Sequence, residues 1–131
     1  MRALVAATLL LAACGAPDVA TTVLHSDGGA YHMELTLSPG APVTGEDTTT
    51  TLTVLHHEDL SPVLDATVGM TPWMPMHDHG IADDVVVEDL GEGVYEGTFA
   101  FSMPGSWELR LDIDDGAEIG ADTAVATVEV L

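Results

Sequence analysis

A chain of 131 residues holds one domain's worth of core and no more. Apolar residues make up 47% and aromatic residues only 5%, which predicts an aliphatic core. The formal charge of −20 argues against nucleic acid or anionic headgroups as partners, because such a surface repels both while drawing cations loosely.

Met1-Arg2 gives a short positive start, and residues 3–13 form an apolar run too short to span a bilayer. This pattern predicts a cleaved secretory leader over residues 1–13. With Arg2 removed, Arg110 is the single Lys or Arg set against 22 acids. The same acidity would suit a protein adapted to high salt, where screening removes self-repulsion. The leader ends in Leu11-Ala12-Ala13-Cys14, which resembles the bacterial lipobox. That resemblance implies cleavage before Cys14, acyl chains such as palmitate on the new terminus, and residues 14–20 as a lipidated tether. It also implies an extracytoplasmic, membrane-anchored lipoprotein on a periplasmic or outer-surface face. Cys14 is the one cysteine, so no thiol is left for a disulfide, a thiolate copper site or a cysteine nucleophile.

No window of residues 21–131 shows a helical period. Short alternating runs recur instead, separated by Gly, Pro and Asp. Strands are expected at 21–25, 30–37, 49–57, 62–70, 81–88, 94–101, 106–112 and 121–130. The clearest alternation places Trp107, Leu109, Leu111 and Ile113 on one face and Ser106, Glu108, Arg110 and Asp112 on the other. Tyr31, Met33, Leu35 and Leu37 alternate in the same way, as do Leu64, Ala66, Val68 and Met70. Seven to eight such strands predict an all-β, antiparallel, immunoglobulin-like β-sandwich.

Successive antiparallel strands reverse direction, so loops alternate between the two ends of the sandwich. With residues 70–80 defining the top, the turn at 89–93 falls at the bottom and the turn at 102–105 returns to the top. Met103 is thereby expected beside the donors of the 70–80 segment, although far from them in sequence. His25, His32, His56 and His57 are expected at the bottom. There His56-His57-Glu58-Asp59 reads either as a weak divalent-ion site or as a solvated strand end.

The segment 70–80 reads M-T-P-W-M-P-M-H-D-H-G and sets Met70, Met74 and Met76 next to His77 and His79. Pro72 and Pro75 are expected to interrupt any regular ladder there. Thioether sulfur and imidazole nitrogen together suit copper better than other common metals, and Cu(I) better than Cu(II). The candidate ligands are Met74, Met76, His77, His79 and Met103. Met33, Met70, Tyr95 and Trp107 fall on core faces, and Trp73 is expected to plug the end of the sandwich. Thioethers carry no proton, so the imidazoles set the low-pH limit of binding. In a competing reading the methionines fill a core end and the histidines are merely solvated.

The order Met74-Pro75, His79-Gly80, Gly93-Val94-Tyr95, then Met103, Gly105 and Trp107 resembles the YtkA-like family and its FixH relatives. Pro62-Val63 and Ala66-Thr67-Val68 add to the likeness. The resemblance implies a small extracytoplasmic sandwich domain associated with copper handling. It carries over most directly onto Met74, His79 and Met103. Where the family often has a second methionine, this chain has His77, with Met76 one place earlier. FixH proteins usually begin with a membrane-spanning helix, whereas this chain begins with a lipobox-like leader.

No serine sits in a nucleophile elbow, and two loops on a small sandwich offer little substrate pocket, so an enzyme and a small-molecule substrate are not expected. The acidic run from Asp112 to Glu118 does not match a calcium loop. The leading expectation is a membrane-tethered copper-binding or copper-transfer lipoprotein that exchanges metal with a donor or acceptor protein. The alternatives are a metal-free interaction module assisting a membrane transporter or oxidase, and a surface lipoprotein that buffers cations by charge.

Overall fold

A computed structural model describes residues 18–116 and 120–131. The leader, Cys14 and most of the tether lie outside the described residues, as does Glu118. The chain forms β1 (Ala20–His25), β2 (Tyr31–Ser38), β3 (Asp47–His56), β4 (Thr67–Met74), β5 (His79–Gly80), β6 (Val87–Gly91), β7 (Val94–Ala100), β8 (Gly105–Asp114) and β9 (Ala121–Val130). Two antiparallel sheets face each other. One has the order β1-β2-β3-β7-β6 and the other β5-β4-β8-β9. No described helix is long and apolar enough to cross a membrane.

The alternation that predicted the strands also decides what is buried. Tyr31, Met33, Leu35 and Leu37 of β2 point inward, as do Trp107, Leu109, Leu111 and Ile113 of β8. They meet Leu52 and Val54 of β3 and Val128 and Val130 of β9 in one core. The core is not purely aliphatic. Five of the six aromatic side chains are buried in it, and Trp107, Tyr31, Tyr95 and Phe101 are its largest fully enclosed members. So few aromatics suffice because each is placed at the centre and not at the rim.

Two expected elements shift. The strand expected at 62–70 begins at Thr67, and Leu64 is 58% exposed. Asp65 takes a φ of 54°, a left-handed backbone that no strand continues through. At its other end β4 runs on through Pro72 to Met74. Pro72 is tolerated because its carbonyl faces Gly80, so its nitrogen points the same way, toward an edge that β5 covers only opposite Trp73 and Met74. Of the strand expected at 81–88, only residues 87–88 are strand, at the start of β6; β5 ends before it, at Gly80, and pairs in the other sheet. The count is therefore nine strands among the described residues.

Tyr95 locks the start of β7 to the chain before β4. Its hydroxyl donates to the Val63 carbonyl at 2.8 Å and accepts from the Ala66 amide at 3.0 Å. Burial pushes its ionisation upward, so it stays a neutral donor. Tyr95→Phe keeps the packing but leaves both backbone groups without that partner, and is expected to cost about 1–3 kcal/mol in urea unfolding.

At the bottom, Asp122 closes the turn between β1 and β2. Its carboxylate accepts from the Gly28 amide at 2.9 Å and the Ala30 amide at 3.3 Å. The Ser26 hydroxyl, the Gly28, Thr123 and Ala30 amides together hold its pKa down to about 2. A depressed carboxylate stabilises the fold above the ordinary range near pH 4, and the contribution fades as pH falls through about 2. Asp122→Asn is expected to melt below the wild type at pH 6. The gap should close as melts are repeated toward pH 2.

Candidate metal centre

The top of the sandwich is built on a tight hairpin. Pro75 follows β4 at the second position of a turn in which the His77 amide donates to the Met74 carbonyl at 3.3 Å. Asp78 takes a left-handed φ of 54°, and the chain returns as β5 with His79 opposite Met74. The segment is thus a hairpin. Gly80 lets the return strand approach: a Cβ at that position would lie 2.9 Å from the Pro72 carbonyl oxygen. The turn after β7 arrives at the same end, where Gly105 has a φ of 123° that favours glycine. The Trp107 indole N–H donates to the Met103 carbonyl at 2.9 Å and pins that turn.

All five candidate ligands lie at this end, with unequal access. His79 and Met103 touch, with Nε2 3.2 Å from Sδ. The His77 ring lies beside His79, with centroids 6.1 Å apart and planes inclined by 24°. Met76 is at the tip of the turn and 85% exposed. Met74 is 2% exposed and belongs to the core. It pairs with His79 across the hairpin, so its side chain forms the inner wall beneath the imidazole. Met74, Met76 and His77 also line an open cleft of about 500 Å³ with Pro104, Gly105, Ser106 and Glu129.

The chemistry of the His79–Met103 contact follows from the other ring nitrogen. Nδ1 is 2.8 Å from the Gly80 carbonyl oxygen, which can only accept, so in the neutral ring Nδ1 carries the proton. Nε2 then presents a bare lone pair to the thioether. Two lone-pair donors without a proton between them gain little from such a contact; a metal ion placed between them would bind both. Bonds of about 2.0 Å to nitrogen and about 2.3 Å to sulfur at a tetrahedral angle separate two ligands by about 3.5 Å. The 3.2 Å contact is close to that spacing. Anchoring the remote imidazole nitrogen on a backbone carbonyl is also how metal-binding histidines are commonly oriented. Among the described residues no three His, Cys, Asp or Glu side chains already converge as a metal site. Soft sulfur with imidazole fits Cu(I).

One aromatic placement differs from expectation. Trp73 does not plug the sandwich end. It faces outward, half-buried, with the Arg110 guanidinium 5.0 Å from its ring centre. Trp107 is core as expected, yet it also meets His79 edge-on at 5.7 Å, a contact that alternation within one strand does not reveal. Behind it Phe101 and Phe99 continue the edge-to-face series at 5.3 and 5.1 Å. At the bottom, His56 and His57 separate. His56 lies on the core side against Tyr31, and His57 lies on the outer face.

The fold resembles part of a DUF4785 family protein from Legionella pneumophila, with a TM-score of 0.60 and 15% identity over 79% of this chain. The chain spans 29% of that protein's length. No curated protein sequence matches. The sequence model of the YtkA-like family matches residues 25–112, a span that includes the hairpin, the Met103 turn and most of both sheets. The chain therefore belongs to the YtkA-like family.

Proposed function

We propose that this protein is an extracytoplasmic copper-binding or copper-transfer lipoprotein that takes Cu(I) as cargo at the top of its sandwich. His79 and Met103 form the core of the site. His77 and Met76 are solvent-facing donors through which a partner exchanges the ion, and Met74 is an inner-wall thioether. The observation that carries this reading is the His79 Nε2 lone pair facing the Met103 sulfur at 3.2 Å, with Nδ1 held by Gly80.

Anchoring through Cys14 agrees with the direction of β1. Ala20 opens β1 at the same end as the hairpin, since it pairs with Leu37 near the close of β2. The six Cα–Cα steps from Cys14 to Ala20 reach at most about 20 Å. Acyl chains on Cys14 would hold the Met/His end toward the bilayer and its membrane proteins.

Anaerobic titration of the full-length chain in detergent with Cu(I), against a chromophoric chelator, tests the reading. One tightly bound equivalent supports it. Absence of binding, or binding unchanged in a His79→Ala/Met103→Ala variant that keeps its β-sheet spectrum, overturns it. Burial of Met74 favours the second reading, a metal-free module docking on a membrane transporter or oxidase. That reading predicts no retained copper and a partner interface at the same loops.

A further inference from the structure

Three histidines at the opposite end of the molecule lie together on the solvent face of the five-stranded sheet. His25 and His32 are direct partners across β1 and β2. The neighbouring Ser26–Tyr31 pair carries a backbone hydrogen bond of 3.0 Å, so the 25–32 pair is of the non-hydrogen-bonded kind, in which side chains stand closest. Their ring centres are 5.0 Å apart. His57 continues the line of β3 by donating its amide to the Ala30 carbonyl at 3.1 Å. Because His56 turns inward against Tyr31, His57 turns outward. The side chain opposite it is only Ala30, which leaves room for its ring to come within 5.8 Å of His25. His57 also borders an open cleft of about 520 Å³ with Glu58 on its wall.

We propose that His25, His32 and His57 form a second cation site, for an imidazole-preferring first-row divalent ion such as Zn(II), with His25 as its central ligand. Three neutral imidazoles without thioether suit a borderline ion and not Cu(I). The three side chains do not yet converge on one point. Closing on an ion needs side-chain rotations of His25 and His57, both of which are exposed and free to make them. The high negative charge of the chain raises the local concentration of any cation. This site rests on strand register alone and is independent of copper at the top.

The test is titration of the full-length protein with Zn(II), read by calorimetry and by the imidazole resonances in NMR. The expected result is one micromolar-range equivalent that shifts His25, His32 and His57. His25→Ala should weaken it roughly tenfold or more, and His57→Ala should also weaken it. His77→Ala should leave it unchanged. Shifts centred on His77 and His79 would overturn the proposal. So would weak binding that His25→Ala does not alter, which would assign the zinc to scattered surface carboxylates. Because Zn(II) is the only probe and the variants differ, the outcome is separable from that of the Cu(I) titration.

Discussion

His79→Ala is expected to lower Cu(I) affinity by about a hundredfold or more. Residues that merely orient a ligand typically cost 10- to 100-fold, so removal of the ligand itself belongs at or beyond the upper end of that range. His79 is half-buried and borders Trp107, so the alanine variant also loses some packing. The companion variant Met103→Leu separates the two effects. Leucine keeps the volume and changes stability by less than about 1.5 kcal/mol, while the sulfur 3.2 Å from Nε2 disappears. Matched urea curves with a drop in Cu(I) affinity of roughly tenfold or more identify Met103 as a ligand. Equal affinity in both Met103→Leu and wild type would mean that the methionine is only packing. Met74→Ala is a poor probe of binding, because emptying a buried methionine site costs about 2–5 kcal/mol before any ligand is lost.

The largest stability effect is expected at Trp107. Its ring is fully buried between Phe101 and His79, and its N–H holds the Met103 carbonyl. Trp107→Ala should cost about 3–5 kcal/mol, a large share of the total stability of a domain this size. The thermal midpoint should fall by more than about 10 °C. Trp107→Phe is the informative partner. It preserves most of the core but releases the Met103 turn, so it should weaken Cu(I) retention more than its smaller loss of stability would suggest. If Trp107→Phe lowered the melting temperature and left copper affinity untouched, the indole would be a packing residue with no part in shaping the site.

Much of the sandwich was legible because alternation and burial are the same fact in a strand covered on one face. Residues 106–113 and 31–37 show it plainly. It misled at 62–70, where Leu64 keeps the rhythm of Ala66, Val68 and Met70 but lies beyond the left-handed Asp65. Periodicity records side-chain chemistry, whereas the break was in the backbone. The strand expected at 81–88 failed for another reason. Residues 81–86 are not strand but cross from β5, which pairs with β4, to β6, which pairs with β7 in the other sheet. The crossing passes over Gly97, where a Cβ would lie 2.7 Å from Val85. Because β5 and β6 run in the same direction, they act as one strand in the count of reversals. This is why Met103 reaches His79 even though no strand runs over residues 81–86 between them. The His25–His32–His57 grouping was out of reach, since it depends on the register of three strands. Neighbours in sequence suggested His56 with His57, which the pleat sends to opposite faces.

The two tryptophans also differ in what they can report. Trp107 is sealed from water with its ring edge-on to His79, whereas Trp73 sits on the outer face beneath the Arg110 guanidinium. An ion bound at His79 Nε2 would lie on the same side of the sheet as the Trp107 indole and on the opposite side from that of Trp73. Blue-shifted emission from Trp107 would then dim with occupancy while the redder emission of Trp73 served as an internal reference. The chain thus has the optical layout of a ratiometric, label-free sensor, in which metal arrival and departure would be visible in real time without a competing dye.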